Sequence, residues 1–411
     1  MHNKSFMETL KVFLSKRMIV ALLMGFSCGV PLLLTISVLQ AWMREEGVDL
    51  GTIGLMALVG LPYTLKFLWA PLTDRFTYKL LGRRRGWLLP IQIALMLAIS
   101  WLGFSNPAEN PWMLAGVAAL VTFFSASQDI VVDAYRRESL IDEELGLGSA
   151  LYVNGYRVGM LLASGGGLIL ADFISFAWVY QIMALCMLIG VFTTLFADEP
   201  DVPEQSTPHS FKEAVIEPFV EYFSRDQAIL FLTFILFYKV GDTMASNMTM
   251  PFYIDLGFTK TEIGAVVKLF GFWATILGGL LGGVIILRIG IYSSLWFFGI
   301  LQGVSTAGFA LLTVIGNETW ALAAVIAFEN LSGGMGTTAF VAFMASLTDK
   351  RFTATQYALL SSLMGIPRTV LSAPTGYMAE YMSYEWFFIF CALIAIPGLY
   401  LLTRFAKPKS T

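Results

Sequence analysis

Histidine and formal charge are both scarce in this chain. Only two histidines, His2 and His209, occur in 411 residues, and both lie outside the apolar runs. There is no H-E-x-x-H, which argues against a zinc protease. The lack of embedded histidine likewise argues against membrane acyltransferases and rhomboid-type proteases. The three cysteines, Cys28, Cys186 and Cys391, all sit in apolar segments and cannot form an even set of disulfides. Charged residues make up 13% of the chain and apolar residues 57%. Soluble domains average about 25% and about 45–50% respectively. The net charge of −3 offers no basis for a nucleic-acid partner. These scarcities describe an all-α, polytopic membrane protein.

What is present is a series of long apolar runs. Stretches able to cross about 30 Å of hydrocarbon fall near 18–41, 50–72, 87–105, 111–135, 146–171, 175–197, 228–253, 261–287, 292–315, 318–346, 354–381 and 384–404. The first follows basic residues, as a signal peptide would, but it is long enough to span and no A-x-A-type site follows, so it reads as an uncleaved helix. Twelve spans put both termini on one side. One set of loops and tails holds 19 lysines and arginines, and the opposite set holds only Arg44 and Lys260. The positive-inside rule makes the first set, with both termini, cytoplasmic.

The predicted organisation is a cytoplasmic segment 1–17, a six-helix half 18–197, a linker 198–227, a second six-helix half 228–404 and a tail 405–411. In the linker, Ser210-Phe211-Lys212-Glu213 reads as a capping box opening a short helix. Phe211, Val215, Phe219 and Tyr222 are its expected apolar face, suited to lie along the membrane surface. Two short matches hint at a repeat: Thr52-Ile53-Gly54 recurs as Glu262-Ile263-Gly264, and Arg157 has Arg368 as a counterpart.

Nine formal charges sit within the apolar runs, clear of the two outermost residues at either end: Lys66, Asp129, Asp133, Arg157, Lys239, Asp242, Lys268, Glu329 and Arg368. Each costs about 2.5–3.5 kcal/mol at a bilayer centre, so nine facing lipid would cost roughly 20–30 kcal/mol. They must face one another, a wet cavity or a cargo. None of these nine falls on the third, sixth, ninth or twelfth run.

Asp129 and Asp133 are four apart and share a helical face. Two carboxylates in low dielectric repel, which makes Asp129 a candidate proton carrier. Asp133, nearer the cytoplasmic end, suits an ion pair with Lys66 or the Arg136-Arg137 pair, and with Asp242 it is a further proton-coupling candidate. Lys239 and Asp242, three apart, can pair with each other or touch a substrate. Glu329, beside Asn330, is a second proton candidate, and Gly333, Gly334 and Gly336 after it predict a loosened helix. Arg157 and Arg368 offer forked guanidinium groups for an anionic cargo. Gly155 and Gly159, and the pairs Gly278-Gly279 and Gly282-Gly283, make G-x-x-x-G packing steps. Gln128, Asn154, Tyr156, Lys268 and Asn330 complete the candidate binding set, with Tyr63, Trp69, Tyr152 and Tyr253 available to sugar rings.

Between the second and third runs stand Pro71-Leu72-Thr73-Asp74-Arg75 and Leu81-Gly82-Arg83-Arg84-Arg85-Gly86-Trp87. This resembles the D-R-x-G-R-R signature of major facilitator transporters, with six residues inserted between Arg75 and Gly82. The resemblance implies a cytoplasmic charge latch of Asp74, Arg75, Arg83, Arg84 and Arg85. The alternative is a basic anchor on anionic lipid. Two parallel six-helix repeats are the plan of that fold, whose third, sixth, ninth and twelfth helices face lipid.

Further blocks narrow the likeness. They are Leu39 through Met43, Lys66 through Pro71, Gly82 through Leu89, Ser125 through Ala134, Gly155 through Arg157, Tyr238 through Asp242, Phe328 through Thr337 and Ala354 through Leu360. Together, from about Gly25 to Leu402, the chain resembles the AmpG muropeptide permeases. That implies proton-driven import of GlcNAc-1,6-anhydroMurNAc-peptides across the bacterial inner membrane by a monomer without a cofactor. In its hosts this step serves peptidoglycan recycling and β-lactamase induction. Well-known enterobacterial members carry two further helices, whereas this sequence stops at Thr411. The alternatives are an acetyl-coenzyme A-like or other anionic cargo, an efflux pump, or an intramembrane enzyme using an Asp-rich magnesium motif. No metal site is expected.

Overall fold

The computed structural model describes residues 12–48, 52, 56–77, 81–201, 211–259, 262–364 and 374–405. These residues form helices. Helix α1 (Lys16–Leu33) runs through a π-helical turn (Leu34–Val38) into α2 (Leu39–Glu45). Pro31 causes the irregularity: it has no N–H, and its ring releases the preceding turn. Thr35 partly compensates by donating its hydroxyl to the Leu32 carbonyl at 3.1 Å.

The run expected at 50–72 is broken. After a 3-10 turn (Met56–Gly60) come α3 (Leu61–Leu65), a second 3-10 turn (Lys66–Leu68) and α4 (Ala70–Arg75). Pro62 and Pro71 each stand in the first turn of a new segment, where a missing N–H costs nothing. Helix α5 (Arg85–Gly103) follows, then α6 (Pro111–Ser139), opened by Asn110, whose side chain accepts from the Met113 N–H at 2.9 Å. Next come α7 (Leu145–Leu161), a π-helical turn (Leu162–Gly166), α8 (Gly167–Ala171), α9 (Phe176–Cys186) and α10 (Leu188–Phe196).

The linker helix α11 (Phe211–Ser224) is followed by α12 (Ala228–Tyr238), α13 (Val240–Asp255), a π-helical stretch (Ile263–Phe270), α14 (Gly271–Ile289) and α15 (Ile291–Ile315). Then come α16 (Thr319–Ser346), α17 (Thr353–Leu363), α18 (Thr375–Leu393) and α19 (Ala395–Arg404). Ser383, at φ 65°, breaks α18 at the boundary expected between the last two runs. Among the described residues, eight helical stretches are long and apolar enough to cross a membrane. Large apolar side chains such as Phe173, Trp178 and Ile229 remain exposed on the protein surface, as lipid contact requires.

The chain divides into two compact units. The first comprises Lys4–Phe219 together with Ala345–Ser362, so the α16–α17 corner belongs to it despite its place in the sequence. Its core joins Val30, Leu34, Trp42, Leu95, Ile99, Val117, Tyr180 and Met183. Helices α1 and α7 approach closely here. A Cβ on Gly155 would collide with the Leu22 carbonyl oxygen, and one on Gly159 with that of Phe26. The second unit comprises Val220–Met344 and Leu363–Thr411, with a core built on Phe252, Phe309, Phe387 and Phe388.

In α11, Tyr222 is buried and Val215 and Phe219 are half-buried. The exposed apolar stripe is Ile216, Val220 and Phe223, not the face expected from the sequence.

Candidate functional site

In the first unit, α6 turns Gln128, Asp129 and Asp133 inward, where all three are buried. Asp133 is an ion-pair partner: it accepts from Arg136 Nη2 at 3.1 Å. The same guanidinium donates to Tyr357 Oη at 3.0 Å and to Ser149 Oγ at 2.6 Å, and it stacks 4.6 Å from the Tyr152 ring centre. Arg137 pairs instead with Asp142, at 2.9 Å.

Asp129 differs. Its Oδ1 is buried and accepts no hydrogen bond. The ionisable groups acting on it are Lys66, Asp133 and the Cys28 thiol. Lys66 lies on the 3-10 turn after α3 and is only 7% exposed. Other buried polar atoms nearby in the same unit are also unsatisfied. Gln128 donates Nε2 to Cys28 Sγ at 3.3 Å while its Oε1 is unpartnered, and both side-chain polar atoms of Asn154 lack a partner. Unpaired buried polar atoms cost free energy, typically about 1–3 kcal/mol each. Several in one unit mark a surface built to be met by water or a ligand. Tyr63 and Trp69 are spoken for, donating to Ser125 Oγ at 2.9 Å and Ser127 Oγ at 3.0 Å. Tyr156 lies 6.2 Å from Tyr152, ring centre to ring centre, and both it and Arg157 are half-buried.

In the second unit, Lys239 Nζ donates to Asp242 Oδ2 at 3.0 Å, across the junction of α12 and α13. Glu329 on α16 stands within the field of Asp242 and Lys239, and its buried Oε2 accepts no hydrogen bond. Asn330 is satisfied: it accepts from Thr275 Oγ1 at 2.7 Å and donates to the Ile326 carbonyl at 2.9 Å. The glycines after it do not loosen the helix, since α16 runs unbroken from Thr319 to Ser346. Two of them, Gly334 and Gly336, admit neighbours instead. A Cβ on Gly334 would collide with the Thr275 carbonyl, and one on Gly336 with the Gln302 amide. Lys268, on the π-helical stretch, is exposed. Arg368 lies outside the described residues.

The sequence reading passed over Gln302, Ser305 and Thr306 on α15, all buried. Their spacing of three and four puts them on one helical face. A search limited to formal charge does not register such a polar stripe.

At the cytoplasmic loop, Asp74 is fully buried. It accepts from Arg83 Nη2 at 3.2 Å and Arg84 Nη2 at 2.8 Å, so the six inserted residues do not keep the arginines away. It also accepts from the N–H groups of Ala354 and Thr355 at 3.3 and 2.9 Å and from Thr355 Oγ1 at 2.7 Å. Asp74 is therefore the N-terminal cap of α17, supplied from another helix. Arg84 also holds Glu138, and Arg83 donates to the Arg351 carbonyl at 2.7 Å. Burial opposes the Arg84 charge, yet Glu138 and Asp74 outweigh it and hold its pKa above the ordinary arginine value. Arg83 moves the other way, lowered by burial and then by Arg84. Arg85 lies apart, donating to the Thr194 and Leu195 carbonyls at the end of α10, and Arg75 lies over the Phe76 ring.

Comparison with known proteins agrees with this architecture. The Major Facilitator Superfamily model matches residues 17–370. The anhydromuropeptide permease of Escherichia coli K12 is 43% identical over 399 residues, which cover 96% of this chain and 81% of that protein. A Rickettsia bellii protein named putative transporter AmpG 1 is 33% identical, over 95% of this chain and 98% of its own length. The crystal structure of the human organic anion transporter MFSD10 shares the fold, with a TM-score of 0.65 at 14% identity, covering 94% of this chain and 98% of that one. The family match and these relatives place the chain among multi-pass membrane transporters rather than enzymes, and the chain belongs to the AmpG branch of the major facilitator superfamily.

Proposed function

We propose that this chain imports anhydromuropeptides from periplasm to cytoplasm across the bacterial inner membrane, driven by the proton gradient. The cargo class follows from the 43% identity to an anhydromuropeptide permease over nearly the whole chain. The residues support it chemically. Peptide stems carry carboxylates, and each unit offers a lysine-carboxylate group with an unsatisfied carboxylate oxygen: the buried Lys66 with Asp129, and the half-buried Lys239–Asp242 with Glu329. In this reading Asp129 and Glu329 take up protons, which raises the positive charge of the path and favours an anionic cargo. Gln128, Asn154, Tyr156, Arg157, Asn330, Lys268 and Arg368 contact sugar or peptide. Asp74, Arg83 and Arg84 gate the cytoplasmic end. Twelve spans, cytoplasmic termini and a monomer in the bilayer belong to the same reading, as does a role in peptidoglycan recycling and β-lactamase induction. The proton is the coupling ion and no cofactor takes part.

The test is uptake of radiolabelled GlcNAc-anhydroMurNAc-tripeptide into proteoliposomes, with and without an inward proton gradient. Gradient-stimulated accumulation is expected. Its absence in a folded preparation, with acetyl-coenzyme A or outward flux active instead, overturns the assignment.

A further inference from the structure

Helix α15 carries a buried glutamine with nothing to donate to. Gln302 is only 6% exposed, and its Nε2 makes no hydrogen bond. Its amide oxygen side is pressed against Gly336 of α16, where no Cβ would fit. The residue also lines a small cavity in the second unit, with about 10 Å³ of space open to the centre of a water molecule. A cavity needs roughly that much space to hold one water, and the water needs two to four polar partners. Three lining residues carry groups able to supply them: Gln302 with its amide, Asp242 with its carboxylate and Thr306 with its hydroxyl. Tyr238 also lines it, but its hydroxyl already donates to the Leu295 carbonyl at 3.0 Å.

The first unit has a related arrangement. Gln92 on α5 stands 210 positions before Gln302, the offset that separates Thr52-Ile53-Gly54 from Glu262-Ile263-Gly264. It too is fully buried with an unpartnered Nε2, and it is packed against a glycine, Gly190. Its Oε1, however, accepts from Thr194 Oγ1 at 2.8 Å, so that amide is partly satisfied within the protein. The second-unit copy shares its cavity wall with Asp242 instead.

We propose that the α15 cavity binds one water molecule, which accepts from Gln302 Nε2, donates to Asp242 and Thr306, and solvates the Lys239–Asp242–Glu329 cluster through the proton cycle. The coupling role of that cluster rests on the function proposed above, whereas occupancy of the site does not. The titratable groups around Asp242 are Lys239 at the junction just before its helix, Glu329 from α16, and Tyr238 and Cys391, which line the same cavity. An amide on α15, which carries no formal charge, is thereby drawn into the polar path.

The cavity can be filled without removing any of these groups. A Cβ on Gly303, which lines it, would have a single neighbour within 4 Å, the Ala392 carbonyl oxygen at 3.6 Å. High-resolution cryo-electron microscopy of the wild type should show an ordered density at the site, absent in Gly303→Ala. Thr306→Val, which removes one partner and keeps the shape, should weaken or abolish it as well. Gradient-driven uptake by either variant should shift its pH midpoint upward by about half a unit or more, because removing water from beside a carboxylate disfavours its charged form. The melting temperature should stay near that of the wild type. A dry cavity in the wild type overturns the site. Water that is lost from Gly303→Ala with no change in pH profile overturns its role. Wild-type uptake indifferent to the gradient defeats the proton-coupling reading and leaves the density to decide occupancy.

Discussion

Thr355 donates twice to Asp74, from its backbone N–H at 2.9 Å and its hydroxyl at 2.7 Å, so a single carboxylate of α4 fixes the first turn of α17. The same carboxylate holds Arg83 and Arg84. Replacing it with a neutral amide leaves two buried guanidinium groups short of charge, and breaking a buried pair of this kind costs about 3–5 kcal/mol. Asp74→Asn is expected to lower the melting temperature and to reduce uptake at least tenfold. Thr355→Val removes one of the two bonds and should cost only about 1 kcal/mol. Thermal unfolding in detergent measures both, and equal melting temperatures for wild type and Asp74→Asn would refute the assignment.

The two aspartates of α6 should separate by phenotype. Asp133 is held by Arg136, which is also bonded to Ser149 and Tyr357. Asp129 has an oxygen with no partner. Asp133→Asn is expected to lower stability and yield, since it uncovers a buried guanidinium. Asp129→Asn is expected to fold, to keep cargo counterflow, and to lose accumulation driven by the proton gradient. Counterflow and gradient-driven uptake, measured side by side, check this. Gradient-driven accumulation surviving in Asp129→Asn excludes it as the proton carrier.

The contrast between these aspartates also shows how far the sequence was readable. Their spacing announced a shared face, and the pairing of Asp133 with Arg136 was one of the options it left open. That Asp129 has an unmet oxygen required three dimensions. The arginines of the cytoplasmic loop were legible as a motif, but Thr355, 281 positions from Asp74, was not, because a helix cap supplied from another helix leaves no local signal. The glycines after Glu329 were read as a weakness in α16, whereas they accommodate Thr275 and Gln302. Gln302 itself escaped because the count was of formal charges, and an uncharged amide in an apolar run resembles a tolerated polar residue until its neighbours are known.

Close approach of α1 and α7 gives a prediction about packing. A methyl on Gly155 meets the Leu22 carbonyl oxygen and the Phe26 nitrogen, both backbone atoms that cannot rotate away. On Gly165 it meets only the end of the Leu161 side chain, at 3.4 Å. Gly155→Ala is expected to destabilise by about 1–3 kcal/mol, the range for overpacking, while Gly165→Ala stays close to wild type. Melting curves of the two variants decide it. Equal melting temperatures would mean that the helices part without cost.

Glu262 supplies a pH prediction outside the membrane, since the structural span begins at Ala265, a few residues later than the run expected at 261–287. Its carboxylate accepts from Thr319 Oγ1 at 2.6 Å and from the Thr259 N–H and hydroxyl at 2.9 and 2.8 Å, while Thr259 Oγ1 accepts from its N–H at 3.2 Å. This is a reciprocal capping box with a third partner. The bond from Thr319 first, and those from Thr259 next, hold the carboxyl below its ordinary value of 4.5. A group whose pKa is lower folded than unfolded contributes stability that is complete above the unfolded value and fades as pH falls through the folded one. The melting-temperature difference between wild type and Glu262→Gln should therefore be constant from neutral pH down to about pH 5 and shrink below 4.5. A difference that persists unchanged at pH 3, or one that grows on acidification, contradicts this cap.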